Sequence, residues 1–177
     1  MLLNDAIDLI RNDALSKTCA QTWADLGCGS GTFTKALANL LPDNSIIYAV
    51  DKNRSDLINV GRNEKIKVEK IDADFINDDL PLNLDGILMA NSLHYVEEKS
   101  PFIKKIEKNF KSDSLFLIVE YDMDISNHWV PFPLSYNSLK LLFENEGYNS
   151  IKKLKERASL YRRTNIYSAL INKNILL

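Results

Sequence analysis

Trp23-Ala24-Asp25-Leu26-Gly27-Cys28-Gly29-Ser30-Gly31-Thr32-Phe33-Thr34 is the stretch from which the rest of the chain is read. It packs three of the six glycines into five positions. Before it, Thr22–Leu26 is a short strand-forming run. After it, Thr32–Leu41 carries helical periodicity, and Pro42 is a stop signal. A glycine loop between a strand and a helix lies where doubly wound sheets bind ligands, outside the carboxyl ends of the strands. Glycine permits close backbone approach and positive φ there. A dinucleotide fingerprint, Gly-x-Gly-x-x-Gly, begun at Gly27 or Gly29 would put Thr32 or Thr34 at its last glycine, so the match is poor. Asp25 would also repel a pyrophosphate, which disfavours a nicotinamide-dependent oxidoreductase. It suits a cationic group such as an α-amine. No Gly-Lys-Ser/Thr follows, which excludes a P-loop.

Strands and helices alternate outward from this loop. Ser45–Val50, Ile66–Ile71, Leu84–Ala90 and Leu115–Val119 read as strands, the last the most apolar. Helices are expected over residues 2–15, Ser55–Asn63, Pro101–Phe110 with Ser100 as N-cap, and Ser138–Glu146 with Gly147 at its C-terminal cap. Residues 150–159 and 165–172 read as two more strands. The alternation predicts an α/β fold, a doubly wound and mostly parallel sheet with helices on both faces. The short link between the last two strands forces them antiparallel, because a parallel crossover takes about a dozen residues or more. One domain over 1–177 is expected, with helix 1–15 closing over the ligand.

Asp51 ends the second strand about 20 residues after Gly31, the separation at which an acid reaches ribose hydroxyls. Asp74-Phe75 ends the third strand. It offers an acceptor for an exocyclic amine and an apolar face for a purine. At these residues the chain resembles the class I S-adenosylmethionine-dependent methyltransferases. Residues 23–34 look like that family's first motif nearly throughout. Asp51 matches its ribose-binding acid and Asp74-Phe75 its adenine-binding pair. Asn91-Ser92-Leu93-His94-Tyr95 looks like the loop flanking the methionine moiety. The resemblance covers the chain from about residue 20 onward. It implies seven strands, with the last antiparallel between the fifth and sixth. It implies S-adenosylmethionine as cofactor and S-adenosylhomocysteine as product. The implied cofactor residues are Asp25, Gly27, Cys28, Gly29 and Gly31 in the first motif. Beyond it they are Asp51, Lys52, Asp74, Phe75 and Asn91.

Methyl transfer by in-line displacement asks chiefly for alignment, with a base where the nucleophile carries a proton. His94, just after the fourth strand, and Glu120, at the end of the fifth, are the candidate catalytic residues. The connection 121–137 is long and aperiodic, as functional loops often are. With Tyr95, its His128 and Trp129 are candidate acceptor contacts, and the loop is expected to wall the acceptor pocket. Asp122, Asp124 and His128 are a weak metal constellation, and no metal is expected. Cys28, at a helix N-terminus, sits where a thiol pKa is lowered. The family motif makes it an ordinary filler. The basic run Lys152, Lys153, Lys155, Arg157, Arg162 and Arg163 reads as a solvated face, with an anionic substrate or RNA as the other reading.

The chain has 177 residues, 22 Lys+Arg against 24 Asp+Glu, and 45% hydrophobic residues. That is ordinary globular composition, and it rules out disordered, collagenous and disulfide-scaffold classes. A pI near 5.7 builds no basic field for nucleic acid. Two cysteines make neither a framework nor a four-ligand zinc site, and fit a reducing, cytoplasmic setting. No apolar run approaches the roughly 20 residues of a membrane span. The expected function is therefore methylation of a small-molecule acceptor. The alternatives are a non-catalytic S-adenosylmethionine-binding regulatory or partner protein, or methylation of RNA or protein. No oligomeric state is legible.

Overall fold

The computed structural model describes residues 1–61, 63–80, 82–111, 115–159 and 164–173. Arg162 and Arg163 lie outside them. Seven strands form one sheet: β1 (Thr22–Leu26), β2 (Ile46–Asp51), β3 (Lys67–Asp72), β4 (Gly86–Ala90), β5 (Leu115–Tyr121), β6 (Ser150–Ala158) and β7 (Asn165–Asn172). The described helices are α1 (Leu3–Ile10), α2 (Thr32–Ala38), α3 (Arg54–Asn59), α4 (Lys99–Glu107) and α5 (Tyr136–Asn145). The sheet order is β3-β2-β1-β4-β5-β7-β6. The first five strands run parallel, and β7 runs antiparallel between β5 and β6.

Period-two alternation assigns each side chain to a face. Phe116 and Ile118 of β5 pack with Phe102 and Ile106 of α4 and Phe143 of α5. Leu115, Leu117 and Val119 point the other way, to Trp23, to Leu9 and Ile10 of α1, and to Phe33 and Leu37 of α2. Strands buried on both faces read as continuous apolar runs, which is why Leu115–Val119 stands out in the sequence. The edge strands β3 and β6 carry Lys and Glu, which blunts edge-to-edge pairing. Trp23 is fully buried opposite Gly86, and a Cβ at Gly86 would lie 2.5 Å from its indole.

Several expected boundaries move, each for a local reason. Helix 2–15 breaks after Ile10 and resumes as a 3-10 turn over Asp13–Leu15. Asn12 causes the break: its Nδ2 donates to Ile10 O and its Oδ1 accepts from Ala14 N. The second helix stops at Ala38, where Asn39 Nδ2 donates back to Lys35 O. The third begins at Arg54 behind the Asn53 cap and ends at Asn59. Ser100 is not an N-cap. The fourth helix starts at Lys99, and the Ser100 hydroxyl donates instead to Glu146 at the end of α5. Pro101 still sits in the first turn, where no intrahelical N–H is needed. The fifth starts earlier, at Tyr136, with Ser135 Oγ accepting from Ser138 N. Gly147 ends it at φ 83°. The fourth strand starts at Gly86, Leu84 making only an isolated bridge to Phe110.

Candidate active site

Strand order reverses between β1 and β4, which opens a crevice at their carboxyl ends. The glycine loop fills the lip of that crevice. Gly27 N and Cys28 N both donate to Val50 O of β2, at 2.9 and 3.1 Å. Gly27 has φ 76°, and a Cβ on it would lie 2.6 Å from Ser92 Cβ and 3.1 Å from Phe75. The bare backbone there is a geometric requirement. Gly31 caps α2 at φ 81°.

A cavity of about 360 Å³ opens beside this loop. It brings together Gly27, Asp51, Lys52, Asp74, Phe75, Asn91 and Tyr95 of the sequence-derived set, and adds Ile76 and Ser92. Asp51 is fixed by its neighbours: Oδ2 accepts from Gly29 N and Oδ1 from Asn53 N, each at 2.8 Å. Asp74 is held by a tight turn, its Oδ1 accepting from Ile76 N at 3.0 Å. Burial pushes its pKa up, but hydrogen bonds from Ile76, Asn77 and Lys52 outweigh that and hold it below the usual carboxylate range. Asn91 adopts φ 55°, and its N–H donates to Val119 O. Its Oδ1 is buried without a partner.

Asp25 is not at the cavity wall. It is 1% exposed beneath the loop, and Thr34 Oγ1 donates to its Oδ2 at 2.6 Å. Its Oδ1 has no partner. Burial raises its pKa to about 7 against the Thr34 hydrogen bond, and the Asp51 charge adds to the rise. Cys28 is buried, and its thiol is pushed up by burial and by Asp25 and Asp51. Desolvation thus overrides the helix-terminus effect that the sequence suggested.

His94 and Glu120 meet. His94 Nδ1 lies 2.7 Å from Glu120 Oε2, and His94 N donates to Glu120 Oε1 at 3.1 Å. Both side chains are at most 3% exposed. A carboxylate at Nδ1 requires the ring proton there, which leaves Nε2 as the basic nitrogen. Tyr95, half exposed, packs its ring 4.4 Å from that of His94.

The connection after β5 is pinned at several points. Ser135 N and Ser138 Oγ donate to Asp124 Oδ1, and Tyr136 N donates to Asp122 Oδ1. Phe132 N donates to His94 O, and Lys99 Nζ reaches both Phe132 O and Val96 O. Phe132 lines a second cavity, about 440 Å³, that shares Ile76 and Tyr95 with the first. His128 and Trp129 contact each other edge to face, and Trp129 is 68% exposed. Neither lines the two cavities described. No group of three or more metal-ligating side chains is found among the described residues. Sequence reasoning gave no separate role to Ser92, whose Oγ donates to Leu26 O at 2.6 Å. Ser92 lies inside the quoted motif, but nothing in its residue type signals the loop-to-strand bond.

The residues around the cleft fit an adenosyl cofactor on three structural grounds. A Cβ at Gly29 would meet nothing within 4 Å, the cleft-lining Asn91 keeps a buried amide oxygen without a partner, and a fixed acid stands at the tip of β2. Residues 19–174 match the family model described as "Methyltransferase domain". No curated protein matches the sequence significantly. Among solved structures, a methyltransferase from Aquifex aeolicus aligns over 98% of this chain and 100% of its own, at 16% identity and TM-score 0.62. Magnesium protoporphyrin IX methyltransferase from Synechocystis, solved with bound S-adenosylmethionine, aligns over 95% and 77% at 14% identity and TM-score 0.68. A Listeria monocytogenes structure described as an S-adenosylmethionine-dependent methyltransferase aligns over 98% of both chains at 16% identity and TM-score 0.63. With the family model spanning nearly the whole chain, this protein belongs to the class I S-adenosylmethionine-dependent methyltransferases.

Proposed function

We propose that this enzyme methylates a small-molecule acceptor at the rim of β4 and β5, with His94 as general base and Glu120 as its positioning partner. The observation that carries the reading is the 360 Å³ cleft, in which the glycine loop, two strand-end acids and Asn91 converge. Asp51 is the ribose-binding acid. Asp74 and Phe75 flank the adenine. Gly27, Gly29 and Asn91 pack against the methionine portion. Asp25 acts from below, by holding the loop-to-helix junction through Thr34. Bound S-adenosylmethionine supplies an activated methyl group. The protein's part is to align the acceptor and, where the nucleophile carries a proton, to take it at His94 Nε2.

The acceptor's small size is supported by the charge of −2, which offers no field for a polyanion. The Synechocystis neighbour is named as a magnesium protoporphyrin IX methyltransferase. Tyr95 and Phe132 supply the apolar wall on the acceptor side. Among the described residues, no helix is long and apolar enough to cross a membrane. Cys19 and Cys28 are both free thiols, which supports a cytoplasmic setting.

The test is isothermal titration of S-adenosylmethionine and S-adenosylhomocysteine into the wild type and Asp51→Ala. Micromolar binding that weakens at least tenfold in the variant is expected. Equal affinity in both proteins would remove Asp51 from the ribose site. With an acceptor in hand, Glu120→Gln is expected to lower kcat and displace the pH profile, with little change in cofactor affinity.

A further inference from the structure

The basic run on β6 is sorted by the structure into different settings. Lys153 Nζ lies 2.7 Å from Glu156 and 3.6 Å from Asp122. Lys155 pairs with Asp8 of α1. Arg157 Nη1 lies 2.8 Å from Asp5 of α1, both side chains about one-third exposed. Arg157 also lines a cavity of about 120 Å³. Its floor is the shared rim of β5, β6 and β7, at Tyr121, Ala158 and Ile166. Met1 and Asp5 close it from above, and Asn91 is common to this cavity and to the cofactor cleft.

Two features give this chamber a chemical preference. The guanidinium has five N–H donors in a planar fork, and Asp5 is the partner the described residues give it, through one nitrogen. The ion pair fixes the side chain, and among the described residues no second ion-pair partner meets its other edge, which suits a bidentate contact. The second feature is Asn91, which lines both the chamber and the cleft and whose Oδ1 is buried without a partner.

Resting on the cofactor reading above, we propose that Arg157, oriented by Asp5, binds the carboxylate of a small carboxylic-acid acceptor whose other end, carrying an N–H or O–H, reaches the cleft past Asn91. A carboxylate matches the free edge of the fork in geometry and makes charge-assisted bonds to it. An amine would instead compete with the guanidinium for Asp5, beside a charge of its own sign. A phosphate dianion would put three negative charges, with Asp5, against one guanidinium. The chamber admits one small group, since a ligand pocket for a whole drug-sized molecule runs to roughly 300–1,000 Å³.

The probes are acetate, propionate and benzoate, their primary amides, propylamine, benzylamine and inorganic phosphate. Each is titrated by NMR into protein saturated with S-adenosylhomocysteine. At least one carboxylate is expected to bind tenfold tighter than its amide. That preference should vanish in Arg157→Gln and fall in Arg157→Lys, which keeps the charge and loses the fork. It should persist in Lys152→Gln, which removes one exposed β6 charge. Equal binding of acid and amide, preference for the amines or phosphate, or an unchanged preference in Arg157→Gln would overturn the assignment. Cofactor titration into each variant, with its thermal melt, separates loss of the subsite from loss of α1 packing. A protein that does not bind S-adenosylhomocysteine refutes the cofactor reading instead. The carboxylate-to-amide ratio is then read on the unloaded protein, where its absence overturns the Arg157 assignment as well.

Discussion

Asp25 and Thr34 share a hydrogen bond sealed beneath the glycine loop, and burial makes the Asp25 proton a stability variable. Its folded pKa is raised from 3.8 to about 7. Between those values the native state holds a proton that the unfolded chain has released. Stability from this group is therefore present at low pH and is lost as pH rises toward and through 7, by on the order of a few kcal/mol. In the absence of cofactor, the melting temperature should fall between pH 5.5 and 8. Asp25→Asn should flatten that slope, and parallel slopes in the two proteins would mean Asp25 is ionised throughout. Gly27 sets a different kind of limit. Its positive φ and the 2.6 Å approach of Ser92 Cβ leave no room for a methyl group. Gly27→Ala should cost about 1–3 kcal/mol by denaturant titration, and should weaken S-adenosylhomocysteine binding more than its stability loss explains. A stability unchanged within error would mean that the loop relaxes freely.

At the scale of elements, the 3-10 turn Leu93–Tyr95 matters because it delivers one residue to each of two environments. Tyr95 lines the cleft, and the Nδ1 edge of His94 meets Glu120 at the end of β5. The Glu120 carboxylate at Nδ1 predicts a ring proton fixed at that nitrogen. Long-range nitrogen–proton NMR should show it in the wild type, and a tautomer mixture in Glu120→Gln. A mixture in the wild type would leave Glu120 without an orienting role. This pairing joins residues 26 positions apart, and nothing in either segment announces it. The strand-ending acids Asp51 and Asp74 were legible for the opposite reason. In a parallel sheet, equivalent ends of successive strands share one rim, so order along the chain becomes proximity in space. The central strands were legible because burial on both faces writes an unbroken apolar run. Ser100 misled because a local N-cap competed with the long-range partner Glu146, and the tertiary contact won. The break at Asn12 was hidden by an apolar periodicity that runs on through Ala14 and Leu15 in the 3-10 turn. His128 and Trp129 drew attention as aromatic and ionisable residues in a long loop, but residue type carries no direction. Trp129 faces outward.

Across the whole molecule, α1 is where core and site meet. Its Ala6, Leu9 and Ile10 are buried against the β1, α2 and β7 side of the sheet, while Met1 and Asp5 reach the chamber beside Asn91. Two ion pairs, Asp5–Arg157 and Asp8–Lys155, tie the helix to β6. Exposed pairs of this kind contribute about 0–1 kcal/mol each, whereas truncating a buried leucine costs about 2–5 kcal/mol. Apolar burial therefore holds α1 in place, and the charges set which way its N-terminal end faces. Leu9→Ala should lower stability by about that larger amount, and Asp8→Asn by less than about 1 kcal/mol, both by denaturant titration. A larger loss in Asp8→Asn than in Leu9→Ala would reverse the ranking. The same division decides how to test whether α1 closes over the cofactor. Deleting it would expose Leu37, Trp23 and Leu170 and confound closure with unfolding. Amide hydrogen exchange avoids this, because it reads the opening of α1 in the intact chain. If α1 closes on the loaded enzyme, saturating S-adenosylhomocysteine should slow exchange at Ala6–Ile10 more than at Phe102–Ile106 of α4, which packs on the opposite face. Equal slowing at both helices would mean that the ligand stabilises the fold as a whole and that α1 is a wall of the chamber rather than its lid.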